Sequence, residues 1–533
     1  MKKFLITVII AILFSGCSNI VEPIETIPPT TTAAAVTTVT EPTTTTPFTT
    51  IDEIPISTPE IDNKKFSQKL EAEKGTISGD LNVKKERAGY SGSGYVSGFT
   101  KNNNNKWSMK LDIPTSQHYD ITISAASDSK RTNSLLINGE SVGEINTSGN
   151  KVFEKTVIKG IFLEKGQAEF SIKEDGGEFD FDYILVANNA EIPNIITSVK
   201  PVLINKNSNE TTKNVMQFLV DNYGNKAITG QYVSSAENSE MELIHNTTGK
   251  YPAIMLSDLG RYSLNGGTPD GEIESAIKWG QSGGLVSLMW HWKAPTNEPF
   301  FYAQETKFDL SKAVTKIDIA TLPLEEIQKL CDSGKISVET VAIIKDIDNI
   351  SAQLKKLQDA GVTVLWRPLH EASGGWFWWG SKGPDSYKWL WKLMVDRQTK
   401  LHGLNNLIWV WNGQGDQWYV GDNYCDIAAA DIYTKGQDYS SQVNEFIRLN
   451  KLVKGKKMLA ISECGTVPDV DFMNRDNSMW SYFGLWYGEY MMDEFGEYNT
   501  EYTSREQLTK VYNSEGSITR DKLPNFTTYK KVQ

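Results

Sequence analysis

WRPLHEASGGWFWWG, residues Trp366 to Gly380, sets Arg367, His370 and Glu371 among the indoles of Trp366, Trp376, Trp378 and Trp379. Just before it, VTVLW (Val362 to Trp366) is a short apolar, β-branched run that reads as a fully buried strand. Pro368 has no N–H to give to a sheet ladder, so the strand is expected to stop there. His370 and Glu371 then fall where strand gives way to loop, and Gly374 and Gly375 free the backbone to swing the indoles back over them. An apolar wall raises the pKa of a carboxyl beside it, so Glu371 is expected to hold a proton near neutral pH. Indole faces also stack on the C–H faces of pyranose rings. A carboxylic acid floored by indoles therefore points to chemistry on sugars, because core strands rarely carry Arg, His and Glu so close together.

Runs of the same kind recur on both sides. Strands are predicted at Ala227 to Gly230, Ala253 to Leu256, Leu285 to Trp290, Val362 to Trp366, Leu407 to Trp411, Asp426 to Ala430, Lys457 to Ile461 and Tyr482 to Trp486. Amphipathic stretches of helix length lie between several of them, such as 347–360 and 387–402. Strands alternating with helices in this way predict an α/β fold, a (β/α)8 TIM barrel over 200–533, with 293–341 as an insertion. A doubly wound sheet is the competing fold, but no Gly-rich phosphate turn follows any strand.

A barrel makes a sharp demand: functional side chains should come just after strands, at one end. His291 and Trp292 follow the third strand, and His370 and Glu371 the fourth. Trp411, Asn412 and Gln414 follow the fifth, and Asp431 and Tyr433 the sixth. Glu463 follows the seventh, and Trp486 ends the eighth. Glu371 and Glu463, on strands facing each other across the barrel, make the carboxylate pair that glycoside hydrolysis uses. A separation of about 5–5.5 Å would make the reaction retaining. Glu371 would then be the acid and later the base, Glu463 the nucleophile, and Tyr433 a hydroxyl that steadies it. His291, Trp292, His370, Trp376, Trp411, Tyr433 and Trp486 are the candidates for contacts to sugar.

The front of the chain differs. Lys2 and Lys3 precede the apolar run Phe4 to Phe14, too short to span a bilayer as a stable helix, and FSGC follows, ending at Cys17. Residues 1–17 therefore read as a signal peptide of lipoprotein type. Cys17 would be lipidated to give a cell-surface protein without a transmembrane helix, and plain secretion is the alternative, because Phe14 stands where Leu is usual. Residues 18–65 are Thr- and Pro-rich and read as an extended linker. From 66 to 190, short alternating runs such as WSMKLDI, YDITISA and AEFSIK appear with no helix between them, which predicts an all-β sandwich.

Two resemblances are carried by these motifs. EAE at Glu71 to Glu73, GYSGSGYV at Gly89 to Val96 and DYI from Asp182 resemble a family 35 carbohydrate-binding module, a jelly-roll β-sandwich. That resemblance implies a structural calcium held by Glu71, Glu73 and Asp182, with Tyr90, Tyr95 and Asp180 as candidates for the module's own ligand. The stretch Glu178 to Phe181 departs from the family's usual Trp and Asn. WRPLHEASGGWFWWG, WVWNGQ, YVGDNYCDIAAADIY and ISECG resemble glycoside hydrolase family 26, whose best-known members are endo-β-1,4-mannanases. The match implies Glu371 as acid/base, Glu463 as nucleophile, no cofactor for catalysis, and plant cell-wall β-mannan as substrate. His291, His370, Trp376 and Tyr433 match positions that shape its sugar subsites. β-1,3-1,4-Glucanases and xylanases of the same family stay open.

Composition agrees. The chain has 533 residues, 39% of them hydrophobic, and a net charge of −12, which argues against nucleic acid as a partner. Fifteen Trp and 21 Tyr suit a carbohydrate binder. Of four cysteines, Cys17 would be taken by lipid, leaving Cys331, Cys425 and Cys464 with no complete disulfide framework. A monomer is expected. A non-catalytic glycan-capture protein and a structural surface-layer protein are the readings from other classes; Glu371 and Glu463, with His370 and Tyr433, oppose the first, and the second leaves the aromatic cleft unexplained.

Overall fold

The computed structural model describes residues 53–58, 66–99, 105–173, 176–189, 195–237, 239–434, 436–493 and 495–529. The signal segment, Cys17 and most of the linker lie outside the described residues. No helix among the described residues is long and apolar enough to cross a membrane.

Residues 66–189 form two stacked antiparallel sheets. One is ordered Asn82–Lys84, Tyr95–Ser97, Asp180–Asn188, Gln117–Ala126 and Glu154–Leu163, with Ser67–Glu71 also paired to Asp180–Asn188. The other runs Thr76–Ser78, Lys106–Ile113, Gly166–Lys173, Arg131–Ile137 and Glu140–Thr147. Alternation decides which side chains meet between the sheets. Trp107, Ile121, Ile123, Phe170, Phe181 and Ile184 are buried there, and Trp107 Nε1 donates to Ala72 O at 2.8 Å.

The second half is the predicted barrel. Its strands are β1 (Ala227–Tyr232), β2 (Ile254–Asp258), β3 (Leu285–Trp290), β4 (Val364–Pro368), β5 (Leu407–Trp411), β6 (Ile427–Ile432), β7 (Met458–Cys464) and β8 (Tyr482–Leu485). They run parallel in that order, and β1 pairs with both β8 and β2, so the sheet closes. Strands covered on both faces are apolar throughout; every residue of β1, β3, β4, β5 and β7 is buried. The helix Val338–Asp359 starts at a Ser337 cap and buries Ile343, Ile347, Ile350 and Leu354 in the barrel's core. The insertion after β3 carries Leu310–Ala313 and Leu324–Asp332 as helices.

The linker reading is corrected at its end. Glu53–Thr58 lies on the barrel rather than running free: Ile54 N donates to Asn513 O at 2.7 Å, and Glu515 N donates to Ile54 O at 2.8 Å. Ile54 and Ile56 alternate as half-buried positions against it, which is enough apolar surface to hold six residues down. The sandwich also touches the barrel. Phe162 and Asn444 exchange two hydrogen bonds, at 3.3 and 3.1 Å, and Arg475 lies 5.3 Å from the Phe162 ring centre. Cys331, Cys425 and Cys464 are all free.

Candidate active site

Glu371 is positioned by strained backbone. β4 ends at Pro368, and Leu369 (φ 54°) and Glu371 (φ 51°) both take the left-handed conformation that non-glycine residues avoid. The turn is held by Glu371 N donating to Asn412 O at 2.7 Å, which ties the end of β4 to that of β5. Gly374 is required by contact, because a Cβ there would meet the Trp376 ring at 2.1 Å. The indole is thereby laid back, and its Nε1 donates to Glu371 Oε2 at 3.2 Å.

The second carboxylate comes from β7. Register slips between Ala430 and Asp431, so Asp431 pairs with Glu463 and Ser462 is the extra residue. A bulge of this kind re-aims side chains, and it turns Asp431 and Glu463 toward Arg367. Fully buried Arg367 donates from Nη1 to Asp431 Oδ2 (3.0 Å) and Asn412 Oδ1 (3.0 Å), and from Nη2 to Tyr232 Oη (2.9 Å) and Glu463 Oε1. Tyr433 Oη donates to Glu463 Oε2 at 2.6 Å. Carboxylate oxygens of Glu371, Asp431 and Glu463 all lie within 4.8 Å of one another. Such closeness belongs to retaining chemistry, since inverting pairs stand roughly 6.5–9.5 Å apart.

Burial, then the charge of Glu463, pushes Glu371 up to about 7. Burial, then the charge of Asp431, pushes Glu463 up to about 7 as well. Asp431 beside them is pushed up to about 7 too, first by burial, so the three carboxyls titrate together near neutrality and hydrogen bonding decides where the protons sit. Glu463 accepts from a guanidinium and a phenol, both of which favour its ionised form. Glu371 has one indole N–H. The proton belongs on Glu371.

A histidine pair stands alongside. Asp258 Oδ2 lies 3.0 Å from His291 Nδ1, and His291 Nε2 lies 3.2 Å from His370 Nε2. Burial opposes charge on His291, but Asp258 outweighs it and raises its pKa. Burial, His291 and Arg367 drive His370 well below its ordinary value, so it is neutral.

The expected sugar contacts divide. Trp376 is 48% exposed and Tyr433 43%, and His291 and Trp486 are partly open. His370 is buried at 1%, so it backs His291 rather than facing the cleft. Trp292 and Trp411 are corrected to core residues. Trp292 stacks on Trp290 at 4.2 Å and gives its N–H to Asp346, and Trp411 packs edge-on to Tyr419. Trp366, Trp378 and Trp379 are fully buried too, leaving Trp376 as the indole of that stretch at the cleft. Asp258 and Tyr232 lie two residues beyond the ends that the apolar runs predict for the first two strands, so position after a strand does not point to them. A recess of about 1010 Å³ lined by Gly283, Leu285, Val362, Thr363, Tyr251 and Arg520 sits at the starts of the strands and holds none of these groups.

On the sandwich, Glu71, Glu73 and Asp182 converge on one loop. Asp182 accepts from Ser91 N (2.8 Å) and Ser124 Oγ (2.9 Å), Glu71 from Ser91 Oγ (2.6 Å), and Glu73 from Ser93 N (2.8 Å). Glu73 Oε2 is buried with no partner, and a Cβ on Gly92 would lie 2.4 Å from Glu73 Oε1. These are hard oxygens of the kind calcium takes, but among the described residues the acidic cluster whose oxygens all lie within 4.8 Å of one another is Glu371, Asp431 and Glu463, so the set on the sandwich is the looser one. The module-ligand residues fare differently. Asp180 is tied to Arg87 Nε at 2.6 Å, and Tyr95 is buried with its Oη accepting from Arg87 N, so both are structural. Tyr90 alone stays half-open.

Comparison with known proteins agrees with this geometry. Residues 204–522 match Glycosyl hydrolase family 26, and residues 68–189 match Carbohydrate binding module (family 35). A mannan endo-1,4-beta-mannosidase of Thermothelomyces thermophilus is 33% identical over 484 residues, covering 88% of this chain and 93% of that protein. Mannan endo-1,4-beta-mannosidase B of Piromyces sp is 33% identical over 86% of this chain and 78% of its own length. Among solved structures, the Podospora anserina GH26-CBM35 beta-(1,4)-mannanase aligns at TM-score 0.56 and 32% identity, over 87% of this chain and 99% of that one. With its paired carboxylates on β4 and β7 of a closed barrel behind a β-sandwich, the chain belongs to glycoside hydrolase family 26 and carries a family 35 carbohydrate-binding module.

Proposed function

We propose that this glycoside hydrolase cleaves internal β-1,4-mannosidic bonds of mannan, glucomannan or galactomannan with retention of configuration. The observation that carries the reaction is the close pair of Glu371 and Glu463 with unlike hydrogen bonds. In the first step the Glu371 proton passes to the glycosidic oxygen while a Glu463 oxygen attacks the anomeric carbon, the C–O bond to the leaving chain breaks, and a glycosyl-enzyme forms. In the second, Glu371 takes a proton from water, whose oxygen displaces Glu463. Arg367 and Tyr433 hold Glu463 ionised and aimed, and Asp431 and Asn412, both accepting from Arg367 Nη1, with Ser462 donating to Asp431, fix the guanidinium in place. No step calls for a cofactor. The substrate class follows the relatives that share both domains. A polysaccharide cannot enter a cell intact, so the reading carries the export expectation for residues 1–17 with it.

In the sandwich, the carboxylates of Glu71, Glu73 and Asp182 would hold a structural calcium; their convergence and the orphaned Glu73 oxygen support this.

The test is the reducing sugar released from glucomannan, galactomannan, barley mixed-linkage glucan and xylan, together with azide rescue on an activated aryl glycoside. Glu371→Ala with azide is expected to give a β-glycosyl azide, and Glu463→Ala an α-azide. Interchanged products would reverse the two roles. Cleavage of xylan or barley glucan in preference to the mannans would move the substrate.

A further inference from the structure

The rim of the barrel carries rings that the mechanism leaves unused. Tyr433 spends its hydroxyl on Glu463. The ring of Tyr490 lies 5.4 Å from that of Tyr433, and the ring of Tyr502 lies 4.5 Å from that of Tyr490. The three form a continuous row leading away from the nucleophile, on the flank where β6, β7 and β8 end. Its position is built in. A Cβ on Gly465, two residues past Glu463, would lie 2.6 Å from Tyr490 Cε1, so only glycine lets this ring approach. Beyond it, Gln437 N donates to Tyr502 O at 2.8 Å, and a Cβ on Gly436 would lie 2.4 Å from Glu501 O. The loops after β6 and β8 are thus locked together beneath the row.

Tyr490 and Tyr502 remain half-open, and neither hydroxyl bonds to another described residue. A buried tyrosine usually gives its hydroxyl to protein, whereas one at a rim keeps it for solvent or ligand. Two adjacent half-open rings, next to the tyrosine that bonds Glu463, present what a sugar chain reads: apolar faces for its C–H surfaces and hydroxyls for its own.

We propose that Tyr490 and Tyr502 form a sugar-binding platform that extends the cleft beyond the reacting unit along the β6–β8 flank and speeds cleavage of chains long enough to reach it. The proposal rests on the mannanase reading. Binding energy gathered at a remote unit is realised at the scissile bond only by substrates that span both.

The experiment measures kcat/KM for manno-oligosaccharides of increasing length with the full chain and its Tyr502→Ala, Tyr502→Phe and Tyr490→Phe variants. Tyr502→Ala is expected to lose roughly threefold to tenfold on the longest substrates, the worth of one aromatic contact, and nothing on the shortest that is cleaved. Tyr502→Phe and Tyr490→Phe keep the rings and should show smaller losses, again on long chains alone. A loss equal at every length would assign these residues to folding and overturn the platform, and so would no loss at any length. Failure of the substrate reading looks different: the wild type would cleave no manno-oligosaccharide, and the same length comparison on the series it does cleave would still decide the platform.

Discussion

Glu371 has a folded-state pKa of about 7, well above an ordinary carboxyl, because it is buried beside Glu463. A group that binds its proton more tightly when folded stabilises the fold below the unfolded pKa, and that contribution is lost as pH rises through the folded one. For Glu371 the window runs from about 4.5 to about 7. Glu371→Gln keeps the shape and removes the titration. The variant is therefore expected to hold its melting temperature across this window while the wild type falls more steeply. At pH 8 it should exceed the wild type by a few degrees, corresponding to about 1–2 kcal/mol after allowing for solvent reaching the cleft. Thermal scans from pH 4 to pH 9 check this, and parallel curves for the two proteins would contradict it. The same proton sets activity, so kcat/KM should fall along an alkaline limb centred near 7 as Glu371 ionises. How much could be read beforehand is also decided residue by residue. Position after a strand singled out Glu371, Glu463 and Tyr433, which the structure brings together, since a barrel puts strand ends at one face. It could not tell Trp376 from Trp292 or Trp411. All three lie at or beyond strand ends, and which way an indole turns depends on close contacts such as Gly374 under Trp376, which periodicity does not encode.

Elements of regular length were legible, and short irregular ones were not. Eight apolar runs gave eight strands because burial on both faces leaves an unbroken hydrophobic stretch. The bulge at Ser462 that turns Glu463 inward left no such mark. Nor did Glu53–Thr58, where two isoleucines spaced by one residue stand in a Thr- and Pro-rich setting. Ser57 donates from both N and Oγ to Asp471 at 2.8 Å, Glu53 pairs with Lys522, and Ile56 packs against Gly516. The chain thus fastens to the barrel before building the sandwich and returning. Two main-chain bonds and two half-buried isoleucines are together worth about 1–3 kcal/mol. Deleting residues 1–58 should therefore lower the melting temperature by a few degrees, whereas deleting 1–50, which keeps this segment, should not. Scanning calorimetry on the two truncations decides it, and equal melting would mean the segment adds nothing.

At the scale of the whole molecule, the sandwich and the barrel share a contact built from Phe162, Asn444 and Arg475, so loosening one should be felt by the other. The sandwich's weak point is electrostatic. Asp182 is buried and its pKa is raised, first by that burial and also by the charge of Glu71. Glu73 adds a third carboxylate across the Ser91–Ser93 loop. Lys69, 3.7 Å from Glu71, is the cation nearby and it is largely exposed. Divalent calcium among these oxygens would convert mutual repulsion into a clamp joining the first strand, the loop and the closing strand. A ligand bound by the folded state alone raises stability in proportion to the logarithm of its concentration. The full chain is therefore expected to melt lower in EDTA than in millimolar calcium, with the shift growing as calcium rises. Asp182→Asn should flatten that dependence while leaving mannan hydrolysis at low temperature unchanged, because Asp182 lies in the other domain from Glu371 and Glu463. A wild type whose melting ignores both EDTA and calcium would leave the three carboxylates held by serine hydroxyls and amides alone, and the clamp would be withdrawn.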